Sequence, residues 1–466
     1  MRQPWAVARN LLLEVWRIRP LVVFLVLALT ACTFGMAWWL HLGEGPGDHK
    51  VQTFISYSLG FSAFILALLT IFLAVATVAR DIKRREIFTI ATKPITRGQF
   101  LAGKVLGLAL LNLILLALIG AAVYATTFLL TRTQPRNDAE RSRLNDLVLT
   151  ARDSVLPQLA EIDPQQLAQQ IEQIARDRIE AARAEMEDPS AENIESMRIL
   201  IAREVEKQIT LAYRSAPPGG HVVWRFSGIK PDPDLHTPVY LRYKLEPAPD
   251  PPNLQLLSEW HFSADPDALY TTEPLVSRDT IRTVIERPLP PNSVGPDGEL
   301  YVVYRNAPQN YPTRVIFPLP DGAEVSLEAL FVTGGFTSNF LRALACLYLR
   351  LLFLALLGVA MGAWLSLPVA VLVVLIVFTL GSASEFILDA IKWNVSQQAA
   401  DVTAVLVQLL PRLAYYDPVE KIQNGRVVSY ALITRQLIIL IILKGGLAAL
   451  FGYLVFRFRE LARVTV

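Results

Sequence analysis

Long apolar runs occupy the two ends of the chain, and a polar, charge-rich stretch fills the middle. A helix needs about 20 apolar residues to cross the hydrocarbon layer. Six runs meet that length: 20–41, 55–79, 105–130, 340–366, 368–390 and 431–456. A water-soluble globule has no interior that would bury so many. The run Leu21–Leu40 is too long for the apolar part of a cleavable leader, and no small-residue cleavage site follows it. It is expected to remain as a span.

The middle has two patterns. Residues 136–213 are charged and helix-prone, and Leu167, Ile171, Ile174 and Ile179 keep helical spacing. Asp163-Pro164 and Asp188-Pro189-Ser190 supply helix starts, a capping residue followed by proline at the first helical position. This predicts a helical hairpin, either packed on a partner subunit or acting as a solvated spacer. From His221 the pattern changes to short alternating runs: "HVVWRFSGI", "PVYLRYKLEP", "LQLLSEWHFS", "ELYVVYRNAP" and "TRVIFPLP". Asp297-Gly298, Asp321-Gly322 and several prolines separate them. Short strands at such spacing predict an antiparallel β-sandwich. Its large aromatics Trp224, Trp260 and Tyr304 are either core or a surface for sugar or protein.

The expected fold class is therefore an α-helical polytopic membrane protein. It has six transmembrane helices and an α+β extracytoplasmic domain built of a helical hairpin and an antiparallel β-sandwich. The expected parts are a membrane half at 1–131, a helical segment at 132–220, a β domain at 221–338 and a second membrane half at 339–466. Composition agrees: 53% of residues are hydrophobic and 18% charged, against about 25% charged in ordinary domains. The two cysteines, Cys32 and Cys346, both lie in apolar runs, so no disulfide framework or four-cysteine zinc site is expected.

The net charge of +2 says little, but its placement says more. Arg2, Arg9, Arg17 and Arg19 precede the first run; Arg457, Arg459 and Arg463 follow the last. The 80–104 loop carries Arg80, Lys83, Arg84, Arg85, Lys93, Arg97 and Lys104. Lys and Arg collect in short cytoplasmic loops. With six spans all three basic segments fall on the cytoplasmic side, so both termini are inside. Residues 132–338 and the 391–430 connection are then extracytoplasmic.

The stretch "GQFLAGKV" at 98–105 imitates a phosphate-binding loop. That loop needs a buried strand before it and Ser or Thr after the Lys. Here Val105 follows Lys104 and a basic segment precedes it. No nucleotide site is expected. Gly98 reads as a helix end or turn, Gly103 and Gly107 as a close-packing pair, and Lys104 as an interfacial residue reaching headgroups.

The whole loop, "RDIKRREIFTIATKPITRGQFLAGK", follows two spans and leads into a third. A second stretch, "LLPRLAYYDPVEKIQNG" at 409–425, precedes the last span. In these features the chain resembles the permease subunits of ABC-2 type exporters, in particular the multicopper-enzyme-maturation and gliding-type groups. The resemblance covers the six spans; the insert between spans three and four is a departure. It implies an exporter permease that pairs with a second permease subunit in a homo- or heterodimer. Each would dock on a separate cytoplasmic ABC ATPase holding ATP and Mg, with no cofactor in this chain. It implies a coupling helix, with Arg84, Arg85, Glu86, Ile87, Phe88, Lys93 and Arg97 meeting the ATPase. It also implies that 391–430 forms short re-entrant helices. Two other readings share the sequence: a mechanotransmitter acting on periplasmic partners without cargo, and a membrane-anchored sugar- or protein-binding receptor. A periplasmic protein or glycan is the further partner the outer domain admits; nucleic acid is not expected.

Three charges fall inside spans: Arg350, Glu385 and Lys444. Such charges are functional candidates because their burial is costly. Counting about 1.5 Å per residue from the turn near Leu367 puts Arg350 and Glu385 at the same depth on adjacent helices. An ion pair between them is the favoured expectation, ahead of snorkelling and substrate contact. Lys444 is expected to line a cavity or bind a lipid phosphate. No catalytic or metal site is expected: His221, His236 and His261 lack ligand spacing, no nucleophile motif occurs, and Asp232 and Asp234 lie in a Pro-rich turn.

Overall fold

The computed structural model describes residues 2–17, 35–42, 47–83, 95–135, 137–159, 164–184, 191–230, 238–307, 309, 312–317, 326–394, 408 and 410–458. The chain divides into two compact units, Met1–Ala151 with Gly334–Val466, and Arg152–Thr333.

In the first unit, four helices are long and apolar enough to cross a membrane, which marks a membrane protein: α3 (Gly47–Lys83), α4 (Arg97–Thr133), α8 (Phe336–Trp364) and α12 (Tyr430–Phe458). They cover four of the six expected spans. Around them stand α1 (Arg2–Arg17), α2 (Met36–Leu42), α5 (Asp138–Leu147), α9 (Leu367–Ser382), α10 (Ser384–Asn394) and α11 (Val419–Gln423). Most of the expected span at 20–41 lies outside the described residues.

The expected span at 368–390 is instead two helices, broken at Ala383. At 16 residues, α9 is about 24 Å long, short of the roughly 30 Å hydrocarbon core. The physical reason is local. The Gly381 carbonyl accepts from Leu413 N (2.9 Å), Ala414 N (3.3 Å) and the Ser384 hydroxyl (2.9 Å). An incoming strand of chain thus takes the acceptor that a continuing helix would use. Only glycine admits it: a Cβ at 381 would lie 2.4 Å from the Pro411 carbonyl oxygen.

Helix α1 packs on α4 through the expected small-residue pair. A Cβ at Gly103 would sit 2.6 Å from Val7 Cβ, and one at Gly107 3.1 Å from Ala8 Cα. Ala8 and Leu11 are fully buried there, while Trp5 and Leu13 on the other side are exposed. Gly98 stands at the N-terminal end of α4, in its first turn, between Thr96 and Gln99 of a reciprocal capping box.

The second unit carries three sheets, ordered β1-β12-β5-β9, β2-β4-β10-β7-β8 and β3-β11-β6. The strands are β1 (Thr150–Val155), β2 (Gln158–Leu159), β3 (Ser215–Ala216), β4 (His221–Phe226), β5 (Tyr240–Lys244), β6 (Glu246–Ala248), β7 (Gln255–Ser263), β8 (Leu275–Thr280), β9 (Val284–Pro288), β10 (Leu300–Asn306), β11 (Arg314–Ile316) and β12 (Leu327–Gly335). The five alternating runs all appear as strands. Strand structure begins before 221, however. The hairpin of α6 (Pro164–Ala184) and α7 (Ala191–Tyr213) is an insertion between β2 and β3. Its helices are tied by Arg178–Gln208 (2.9 Å) and Tyr213–Gln170 (2.7 Å) hydrogen bonds. The second expected helix start, at 188–190, lies outside the described residues, as do Asp321-Gly322, Asp232 and Asp234.

One core joins side chains of the three sheets. Val302 stands opposite Trp224 and Phe262, and Tyr304 opposite Val222 and Trp260. Trp224, Trp260 and Tyr304 are fully buried, so they are core and not a binding surface. The Tyr243 hydroxyl, also buried, donates to Asp279 (2.8 Å), which Arg287 holds at 2.6 Å. Burial raises the ionisation of both Tyr243 and Tyr304 well above the ordinary phenol range.

Candidate functional site

The segment 410–430 is laid along α8 by polar contacts. Asn339 receives Val428 N (2.7 Å) and donates to the Arg426 carbonyl (2.8 Å). Further along, Gln436 donates to the Cys346 carbonyl (2.9 Å). Leu413, Tyr416 and Ile422 are the buried apolar anchors of the stretch.

Gln408, Leu410, Arg412 and Asp417 supply partners to the three charges expected inside spans. Arg350 donates to Asp417 Oδ2 (3.2 Å) and to the Ser382 hydroxyl (2.9 Å), and stands 5.5 Å from the Phe378 ring centre. Asp417 in turn accepts from Val419 N (3.0 Å) at the start of α11. Glu385 is held two-pronged by Arg412, at 2.7 and 3.0 Å. The expected Arg350–Glu385 pair does not form. Equal depth is necessary for that pair but not sufficient: the helix breaks between Ser382 and Glu385, and the 411–417 stretch offers each charge its own counter-charge. Lys444 donates to the Gln408 carbonyl (2.8 Å) and to the Leu410 carbonyl. It therefore satisfies backbone acceptors of this same stretch instead of reaching a headgroup. It sits on a π-helical stretch, Leu437–Gly445, within α12.

A cleft of about 460 Å³ opens beside Arg350. Its walls come from α3 (Gly60, Ala63, Phe64), α9 (Phe378, Thr379), Ser382 and the Asp417–Val419 turn. Ligand sites commonly fall between 300 and 1,000 Å³, with apolar walls and a few convergent polar groups. This one has a guanidinium, a carboxylate and two hydroxyls.

A second polar cluster ties α3 to α4. Lys104 and Asp81 form a 2.7 Å ion pair, with side chains only 4% and 10% exposed. Lys104 is therefore buried against Asp81 and does not reach outward to headgroups as expected. The Phe100 ring, 5.5 Å from its ammonium, helps to cover it. Thr70 donates to Asn112 (2.9 Å), both buried. Arg97, expected at an ATPase interface, donates to the carbonyls of Phe456 (2.9 Å) and Arg457 (2.6 Å). It neutralises the free acceptors at the end of α12. The other coupling residues, Arg84, Arg85, Glu86, Ile87, Phe88 and Lys93, lie outside the described residues.

Arg412 and Asp417 lie in the stretch 409–425, where nothing in the sequence sets either apart. Both are ordinary loop charges until 411–417 docks among helices. Asp81 and Asn112 were missed for a similar reason. Each is one polar residue near or within an apolar run, and only the facing helix reveals its partner.

Comparison with family models, with curated proteins and with solved structures finds no match for the chain.

Proposed function

We propose that the chain is the membrane-embedded permease subunit of a bacterial ABC-2 type exporter, dimeric and driven by a separate cytoplasmic ATPase. In this reading six segments cross the cytoplasmic membrane, the one at 368–390 as the broken pair α9 and α10; both termini are cytoplasmic, and 132–338 is extracytoplasmic. The observation that carries it is the cleft at Arg350. A guanidinium and a carboxylate are costly in an apolar helical unit, and such groups mark pathways and binding sites. Here they border an open space instead of being sealed from it.

Arg97 gives the reading a mechanical element. A pull on the 80–104 loop by the ATPase reaches the start of α4 and, through Arg97, the end of α12 at the same time. The mechanotransmitter reading uses the same element and adds one observation, that Arg152–Thr333 is a compact unit with its own core.

The test is purification of the whole chain from its native membrane in mild detergent. A nucleotide-hydrolysing subunit is expected to co-purify, and Phe88→Ala or Arg84→Glu with Arg85→Glu should release it while the chain still inserts. Isolation without any such subunit would sink both ABC readings. Orientation is checked by labelling cysteines introduced at Asp250 and Asp267, both exposed, and at Ile90. Labelling of the first two from the cytoplasm would overturn the layout.

A further inference from the structure

The cleft also carries information about what it takes. Its polar end holds one positive and one negative group in contact, Arg350 and Asp417. The two differ in access: the Arg350 side chain is 14% exposed and Asp417 40%. A guanidinium carries five N–H donors, and Arg350 places one on Asp417 and one on Ser382, so it retains donor capacity. Ser382, which accepts from Arg350, and Thr379 add hydroxyls to the lining. The remaining walls, Phe64, Ala63 and Phe378, are apolar. Outside the cleft the apolar surface continues along α3 and α9: Phe61, Leu372 and Ile376 are all exposed. In a unit with membrane-length helices, such faces meet lipid chains.

Charge balance discriminates among occupants. The Arg350–Asp417 pair is already neutral. A purely anionic head would leave an uncompensated negative charge in a poorly solvated place, which is expensive. A neutral head would use neither charge. A head bearing both signs keeps the total at zero and gives each protein charge a ligand partner.

We propose that the cleft binds a zwitterionic amphiphile. Its anionic group is held by Arg350 with Ser382, its ammonium by the more open Asp417, and its hydrocarbon chain runs along Phe64 and the exposed faces of α3 and α9. As a cargo class this rests on the permease reading; as a binding site it belongs to the chain alone.

The experiment uses the full chain in an uncharged detergent, without any ATPase. Three single-chain probes of equal chain length are compared by native mass spectrometry: lysophosphatidylethanolamine, lysophosphatidylglycerol and monoacylglycerol. The zwitterionic probe should be retained one to one, about tenfold more tightly than either of the others, the scale of one charge-assisted contact. Arg350→Gln with Asp417→Asn removes both charges together and should abolish the preference. Ala63→Trp fills the cleft without touching a charge and should abolish retention of all three probes. Equal or tighter retention of the anionic or neutral probe by the unaltered chain overturns the proposal, and this comparison needs no variant to fold. Retention by Ala63→Trp likewise overturns it. If the preference fails while an ATPase co-purifies, the permease reading stands and this cargo class is removed. If the preference holds with no ATPase, the binding site stands and the permease reading falls.

Discussion

The two units solve opposite packing problems. The sheet unit buries its largest aromatics: Trp224, Trp260, Tyr243, Tyr304 and Phe317 are all inside. Some of its ion pairs, such as Arg225–Glu299 and Arg282–Asp250, stand at its surface, while Arg152–Glu286 and Arg287–Asp279 reach inside. The helical unit keeps large apolar side chains outside, among them Leu118, Ile442 and Leu447, each at least 60% exposed. Its buried groups include the polar pairs Lys104–Asp81 and Thr70–Asn112. Water drives aromatic burial in the first case. In the second, lipid is as apolar as the core, so close packing and polar contacts hold the helices together.

Matched substitutions can break that comparison. The largest effects should come from one residue in each unit. Trp260→Ala empties the sheet core and should cost about 3–5 kcal/mol. Lys104→Met leaves Asp81 buried and unpaired and should cost about 3–5 kcal/mol. Thermal unfolding of the full chain in detergent reads both. The double change Lys104→Met with Asp81→Leu should recover most of the second loss but has no counterpart for Trp260. A double variant no better than the single would show that the pair is not what holds α3 to α4.

Next in size is Gly381→Ala. The added Cβ meets backbone at 2.4 Å, so overpacking of about 1–3 kcal/mol is expected. The docked stretch should loosen, and tryptic cleavage after Arg412 should accelerate while β-unit proteolysis stays unchanged. An unchanged rate at Arg412 would mean that the stretch is held elsewhere.

Alkaline titration separates the units by pH. Tyr243 and Tyr304 ionise near pH 10 in the unfolded chain and well above that when folded. As pH rises past 10 the unfolded state loses protons that the folded state keeps, so stability falls with pH. The slope should approach about 1.4 kcal/mol per pH unit for each tyrosine. Tyr243→Phe with Tyr304→Phe should flatten it; persistence of the full slope would assign it to other groups. The smallest effect is expected from Leu118→Ala, which is 65% exposed on α4 and should change unfolding by no more than about 0.5 kcal/mol. A large loss there would mean that this face is packed against something and not merely lipid-facing.

Element type was legible wherever pattern and environment coincide. Alternation in "LQLLSEWHFS" reads directly as β7, since its side chains do point alternately inward. The 3.6-residue pattern marks α6 for the same reason: Leu167, Ile171, Ile174 and Ile179 are all half-buried. Strands β1, β8 and β9 escaped notice because "TARDSV", "LVSRDT" and "VIERP" carry charges. Arg152, for one, is buried against Glu286 at 2.8 Å. Strand β12 escaped for the opposite reason, as six buried residues in a row show no alternation.

The candidate site divides the same way. Apolar length alone determines that α3, α4, α8 and α12 can cross a membrane, and composition alone makes Arg350, Glu385 and Lys444 conspicuous within apolar runs. Hydrophobic transfer depends on what a residue is, so a linear sequence carries it. Which charge meets which depends on where the chain turns, and that was decided only by the fold. Gly381 admits Leu413 and Ala414, the helix stops, and Asp417 and Arg412 arrive to take the partners that equal depth had assigned to each other.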